Sequence, residues 1–405
     1  LTCRASVDRS GRRAIVVVLD ACGVGALPDA AAYGDEGTNT LAHVAEARGG
    51  LQLPTLAALG LGSILELEGV PPAADPVIHG RLHPLGPGKD SITGHWELMG
   101  AVLERPLPVY PHGFPPDAIA RLVAAMGHEV IGNRPYNGLA AVEQLGGEHL
   151  RTGALILYTS QDSVLQLAAH VERMPPGVLY RACRAAREAM TGEHAVGRVI
   201  ARPFAGEEGA FERTEGRRDF ALAPPPGTYL ELLERAGVEV HGVGKIHDLF
   251  AGVGITRSHP GATNAKALDS LEQLLALLEH GLIFVNLIET DQVYGHRKDV
   301  AGFERALRTL DARLGRLIAA LRERDLLIVT ADHGVDPAHP GTDHTREYAP
   351  LLALTGAMAR RRAAGERAAG SRHDGPLADV GASVLRWLTG SGAPELPGEP
   401  FVSEP

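Results

Sequence analysis

The strongest pattern near the start of the chain is a continuous apolar run, "AIVVVLD" (Ala14–Asp20), mostly β-branched, ending on an acid and a glycine-rich loop, "ACGVGALPDA". Such a run, with no polar alternation, predicts a strand buried on both faces, the kind found in parallel sheets. The same grammar returns late in the chain. "NAKALDSLEQLLALLEH" sets Leu268, Leu271, Leu274, Leu275 and Leu278 at helical spacing, and "GLIFVNLIETD" follows as a strand ending at Asp291. "FERALRTLDARLGRLIAALRERD" puts Leu307, Leu310, Leu314, Leu317, Ile318 and Leu321 on one helical face, before the strand "LLIVT" and the pair Asp332-His333. "TYLELLERAG" and "VEVHGVGK" make a further helix–strand pair. Helices alternating with buried strands predict an α/β domain built on a mostly parallel sheet. Because open α/β sheets bind ligands beyond the carboxyl ends of their strands, Asp20, Asp291 and Asp332 are expected to converge.

Between about Glu104 and Ala223 the pattern changes. Gly and Pro are frequent, helix–strand repeats are fewer, and segments such as "ALILYTSQDSVLQLAAH" and "GRVIARPFAGEEGAFER" read as shorter strands. "RPLPVYPHGFPP" and "ALAPPPG" read as hinges at its two ends. The expected organisation is therefore a core of residues 1–103 and 224–405 with an inserted α+β domain, 104–223.

Composition narrows the function. The net charge of −10 opposes nucleic acid or an anionic membrane as the main partner. The arginine-rich stretch Arg360–Arg372 is interleaved with Ala and Gly and reads as a solvated insertion. Three widely spaced cysteines, Cys3, Cys22 and Cys183, make no disulfide framework and suit a reducing cytoplasm. No apolar run approaches membrane-spanning length, and the first residues lack the apolar segment of a signal peptide.

The chemistry is carried by acids and histidines. Asp291 and His296 stand five apart, Asp332 and His333 are adjacent, His344 follows, and Asp20 closes the first strand. Taken singly, a strand-terminal Asp is more often a cap or turn former. Taken together, these six make a carboxylate–imidazole set without thiolates, suited to catalytic Zn²⁺, Mn²⁺ or Fe²⁺ and large enough for two ions. Two such ions clamp phosphoryl groups and activate a hydroxyl. "GPGKDSITGHWELMG" offers two hydroxyls, Ser91 and Thr93, on a glycine-rich loop opening a helix.

These residues, with "LDACGVGALPDAAAYGDEGTNTLAHVAE", "YTSQDSVLQLAAH", "GHRKD" and "TADHGVDPAHPGTDHTREYAPLL", resemble the phosphopentomutase family of the alkaline-phosphatase superfamily along nearly the whole chain. The resemblance implies an alkaline-phosphatase-like core, its sheet flanked by helices, and an inserted cap that excludes water and recognises substrate. It implies one ion on Asp20, Asp332 and His333, a second on Asp291, His296 and His344, and Ser91 as the bridging nucleophile. The family usually has threonine at that position. Substrate contacts are implied for Ser160, Asp162, Arg202, Arg217 and Lys245. The implied reaction interconverts α-D-ribose 1-phosphate, or its 2-deoxy analogue, with the 5-phosphate through a phosphoserine, with Mn²⁺ as the metal and a sugar bisphosphate of the glucose 1,6-bisphosphate type as activator. The rival on the same ligands is a metal-dependent phosphomonoesterase or phosphodiesterase.

Overall fold

A computed structural model describes residues 11–160 and 163–402. Two compact units are present: residues up to Arg105 together with those from Pro224 onward, and Pro106–Ala223. Before the insertion come β1 (Arg13–Leu19) and β2 (Ile78–His83). Within it lie β3 (Val130–Pro135), β4 (Leu155–Thr159), β5 (Val164–His170), β6 (Arg198–Ala205), β7 (Glu212–Arg213) and β8 (Arg218–Ala221). After it follow β9 (Val240–Val243), β10 (Arg257–His259), β11 (Gly281–Leu287), β12 (Asp325–Thr330), β13 (Ala349–Thr355) and β14 (Gly375–Pro376).

The core sheet has the order β10-β9-β11-β1-β12-β13-β2-β14. It is parallel from β10 through β12 and turns antiparallel at β13. β1 lies between β11 and β12, which explains why all seven of its residues are buried and why its sequence does not alternate. Helices Asn264–Leu277 and Val300–Ala319 supply the leucine stripes, Leu268, Leu271, Leu274 and Leu275 on the first and Leu307, Leu310, Leu314 and Leu317 on the second. Leu278 and Leu321 fall just past the ends of these helices.

One residue in β1 breaks its apolar pattern. Arg13, fully buried, donates from Nε to Asp325 Oδ1 at 2.8 Å and from Nη2 to Oδ2 at 2.5 Å, its register partner on β12. Its Nη1 serves the Leu275 and Leu278 carbonyls at 2.5 and 3.1 Å. A buried pair broken on one side strands a charge, so Arg13→Ala is expected to cost about 3–5 kcal/mol. Denaturant unfolding would read this as a lower midpoint at constant slope, and a loss under about 1 kcal/mol would contradict it.

The inserted unit carries its own sheet, β3-β4-β5-β6-β7 with β8 also on β6. Leu155, Leu157, Leu165, Leu167 and Val199 face helices Pro116–Met126 and Pro176–Ala189. Ile156, Tyr158, Ala168 and Phe204 face helix Gly138–Thr152. These three long helices are where the sequence reading expected few. Gly146 and Gly147 suggest turns in a linear reading, but Gly146 is a close-packing position, where a side chain would strike the buried Phe211 ring. Among the described residues no helix is long and apolar enough to cross a membrane.

Candidate metal centre

Three parallel strands deliver the acids to one end of the core sheet. Asp20 follows β1 directly, and the chain turns at Ala21 with φ 62°, a left-handed conformation uncommon for a residue with a Cβ. That turn points the Ala21 amide at Asp332 Oδ1, 3.1 Å away. Asp332 and His333 follow the neighbouring β12. Asp291 departs from the sequence reading. β11 ends at Leu287, and Asp291 lies in a π-helical turn, Thr290–Gly295, instead of at the strand's end or in a loop. A π turn bonds residues five apart, and the His296 amide indeed donates to Asp291 O at 3.3 Å. The five-residue spacing that marks the pair in sequence thus matches the hydrogen-bond spacing of the turn, and both side chains meet at Asp291 Oδ1 and His296 Nε2, 3.3 Å apart.

The six side chains form two adjoining clusters. His333 Nε2 is 3.4 Å from both Asp20 Oδ1 and Asp332 Oδ2. Asp291 Oδ1 is 3.2 Å from His344 Nε2 and 3.3 Å from His296 Nε2. His333 also belongs to the second cluster, with Asp291 and His344, so it is the hinge of the site. His296 is the most exposed of the set, and its Nδ1 is fixed by the Thr342 carbonyl at 2.6 Å. Despite these distances, Asp291 Oδ1, Asp332 Oδ2 and His344 Nε2 are buried without a hydrogen-bond partner. Convergent buried lone pairs left unpaired are what a divalent cation satisfies, so the residues fit the metal their chemistry suggests.

The electrostatics agree. Burial pushes the Asp20 carboxyl up, and Asp332 and Asp291 add to the rise. Burial opposes ionisation of Asp332 and Asp291 too, but the surrounding histidines outweigh it and hold both below the usual carboxylate range. Burial disfavours the charged form of His333, yet Asp332, Asp20 and Asp291 raise it well above an ordinary histidine. Without metal, the cluster neutralises its carboxylates with protons on imidazoles.

Ser91 opens helix Ser91–Leu98, capped by Asp90, whose Oδ1 accepts from Ile92 N at 2.9 Å and Thr93 N at 3.1 Å. Ser91 Oγ donates to Asp20 Oδ1 at 3.3 Å and lies 3.0 Å from His333 Nε2. Thr93 Oγ1 instead donates to Asp90 Oδ2 at 2.8 Å. The two hydroxyls of the loop therefore have separate surroundings. Gly94 keeps the helix against the site, since a Cβ there would meet the Asp332 carbonyl at 2.5 Å.

Several further residues position this site. Asn286 Nδ2 donates to Asp20 Oδ2 at 2.8 Å, and Thr290 Oγ1 to the Asp20 carbonyl at 2.6 Å. His95 Nδ1 lies 2.8 Å from Ser91 O and 3.0 Å from Asp332 Oδ2. Asp35 accepts from Lys89 Nζ and from the Arg346 amide, both at 2.9 Å, and Arg346 Nη1 reaches the Gly88 carbonyl at 2.6 Å. Lys89 and His95 lie in the loop that the sequence already marks, whereas only residue-to-residue proximity identifies Asn286, Thr290, Asp35 and Arg346.

The remaining expected site residues are spread over both units. Lys245 precedes helix Ile246–Leu249 in the core. In the inserted unit Ser160 follows β4, and Arg202 on β6 donates from Nε to Gln166 Oε1 at 3.2 Å. Arg217 makes two 2.8 Å bonds to Asp219. Asp162 lies outside the described residues.

Residues 12–390 match the model of the metalloenzyme superfamily. A phosphopentomutase of Caldanaerobacter subterraneus is 49% identical over 357 residues, 88% of this chain and 91% of its own. One of Dictyoglomus turgidum is 46% identical over 394 residues, 97% of this chain and 98% of its own. Among solved structures, the PH0037 protein from Pyrococcus horikoshii shares the fold, with a TM-score of 0.50 and 14% identity over 95% of this chain and 99% of that one. The chain belongs to the phosphopentomutase family, a family of isomerases within the metalloenzyme superfamily.

Proposed function

We propose that this chain interconverts α-D-ribose 1-phosphate and ribose 5-phosphate, and the 2-deoxy pair, through a phosphorylated Ser91. The observation that carries this reading is the place of Ser91 Oγ, 3.0 Å from His333 Nε2 and 3.3 Å from Asp20 Oδ1, beside both acid–histidine clusters. Asp20, Asp332 and His333 would hold one divalent ion and Asp291, His296 and His344 a second, Mn²⁺ in our reading, supplying positive charge for phosphoryl oxygens and lowering the pKa of a nearby hydroxyl.

In this scheme the Asp90 cap and the Asp35–Lys89 pair fix the loop, so that the serine oxygen is aimed before substrate arrives. A sugar bisphosphate primes the enzyme by transferring one phosphoryl group to Ser91. The phosphoserine then passes it to the free hydroxyl of a pentose monophosphate. The Oγ–P bond breaks, a new P–O bond forms, and the sugar's proton is released. The resulting bisphosphate presents its other phosphoryl group to Ser91, which takes it back and leaves the isomeric monophosphate. Ser160, Asp162, Arg202, Arg217 and Lys245 are the substrate contacts in this reading, the arginines as forks for a phosphate. The few, widely separated cysteines favour the cytoplasm as its compartment.

The test is product partition. With ribose 1-phosphate, Mn²⁺ and a bisphosphate primer, ribose 5-phosphate is expected to form faster than inorganic phosphate. Inorganic phosphate as the main product would make this chain a phosphatase.

A further inference from the structure

A buried carboxylate lies behind the metal centre and belongs to neither ligand cluster. Glu347 is 3% exposed, and its side chain collects four donors from three segments of the core. Oε1 accepts from the hydroxyls of Thr40 and Thr345, both at 2.7 Å. Oε2 accepts from the Thr40 amide at 2.9 Å and the Gly25 amide at 3.2 Å. Gly25 belongs to the loop that leaves Asp20, Thr40 opens helix Thr40–Arg48, and Thr345 adjoins His344. Among the described residues no lysine, arginine or histidine is paired with Glu347. Burying a carboxylate with no cation beside it costs stability, so fastening loops does not by itself account for an acid here.

What Glu347 fastens is the link between the two clusters. Gly334 and Thr345 form an isolated antiparallel bridge. Gly334 N donates to Thr345 O at 3.2 Å, and Thr345 N to Gly334 O at 2.8 Å. Each is the chain neighbour of a candidate ligand, Gly334 of His333 and Thr345 of His344. The bridge therefore brings two histidines distant in sequence together, their ring centroids 4.2 Å apart. The Gly334 carbonyl also lies 3.0 Å from His333 Nδ1, which orients that ring. Glu347 backs this bridge directly. A Cβ on Gly334 would stand 2.5 Å from Glu347 Oε1, and one on Gly23 would collide with Oε2. Held by four bonds, the carboxylate cannot step aside, and the two glycines leave it the space it occupies. Its partner Thr40 adds a further tie, the hydroxyl accepting from the Val335 amide at 3.1 Å, one residue past Gly334.

We propose that Glu347 is a positioning residue of the metal centre. By clamping the Gly334–Thr345 bridge to the loop after β1, it fixes the separation of His333 in one ligand set from His344 in the other. That each set holds an ion rests on the function proposed above. A carboxylate suits the task because both of its oxygens accept, so it grips hydroxyls on one side and amides on the other. A glutamine accepts with one oxygen only, which leaves the hydroxyl side to reorganise.

The experiment titrates the full chain with Mn²⁺ and reads it by electron paramagnetic resonance, because two neighbouring Mn²⁺ ions couple magnetically and the spectrum reports their separation. The parent should show the coupled spectrum once both sets are filled. Glu347→Gln is expected to weaken binding of the second ion about 10–100-fold and to alter or abolish the coupled spectrum at saturating Mn²⁺. Thr345→Val, which removes a single bond to the carboxylate, should weaken it about 3–10-fold and shift the spectrum in the same direction. Circular dichroism should match the parent in both, and Thr345→Val decides alone if Glu347→Gln does not fold. A residue that merely stabilised the fold would lower the unfolding midpoint and leave the saturated spectrum unchanged. Folded variants with the parent's spectrum and affinity would overturn the role of Glu347 while leaving the two-ion site intact. An uncoupled spectrum from the saturated parent would overturn the two-ion site and this role together.

Discussion

Ser91→Ala is expected to lower kcat at least about 10³-fold and to leave no phosphate on the chain after bisphosphate treatment, while Thr93→Ala keeps its phosphoenzyme. The contrast follows from the two hydroxyls' partners. Ser91 Oγ faces Asp20 and His333, and Thr93 Oγ1 is committed to the Asp90 carboxylate that caps the helix. Removing Thr93's hydroxyl loosens the cap, which is worth about 1 kcal/mol and slows the reaction without ending it. Ser91→Thr should retain turnover, since it keeps the oxygen and adds only a methyl. Metal content, measured on each purified variant, should stay at the parent's level, separating loss of the nucleophile from loss of the site. Phosphate mapped to Thr93 would exchange the roles of the two residues.

Mn²⁺ binding is expected to strengthen steeply with pH, by about tenfold per pH unit for each proton expelled. In the metal-free chain burial works against charge on His344, as does His333, yet Asp291 prevails and lifts it above 6.5, and His333 is lifted further by its three carboxylates. Imidazolium cannot ligate a cation, so each ion must displace a proton. The sign for stability follows. Raised histidines, and the raised Asp20, stabilise the metal-free fold below their unfolded values, and that contribution is lost as pH rises through the folded ones. The depressed Asp291 and Asp332 act oppositely, stabilising above 3.8 and failing as pH falls through their lowered values. Metal-free protein should therefore lose stability on the alkaline side of neutrality, where the loaded protein gains it. Calorimetric titration in two buffers of different ionisation heat would count the protons. A count of zero would mean the histidines are neutral before metal arrives.

Much of the core was legible because its signals are local. A buried central strand must be apolar throughout, and β1, β11 and β12 are. Leucines at helical spacing marked the helices that cover them. The acids and histidines stood out because they come in tight pairs, Asp332-His333 and Asp291 with His296. What stayed hidden depends on contacts distant in sequence. Arg13 reads as a polar start to a strand until Asp325 is found opposite. Asn286 interrupts an apolar run for no visible reason until Asp20 lies across from it. The helix beginning at Gly138 escaped notice because its glycines suggest turns in a linear reading, whereas Gly146 is demanded by the Phe211 ring packed against it.

The arrangement of the two units also sets an order of assembly as the chain is synthesised. The inserted unit is one uninterrupted segment with its own cores, so it can fold soon after Ala223 emerges. β1 is made first yet belongs at the centre of the sheet, and its partners begin only at Gly281 and Asp325. Throughout that interval its apolar edges are unpaired, and Arg13 has no counterion until Asp325 appears. The nascent core is therefore the part of this protein that most needs shielding by chaperones, and a ribosome stalled between the insertion and β12 would leave a finished satellite attached to an aggregation-prone stub.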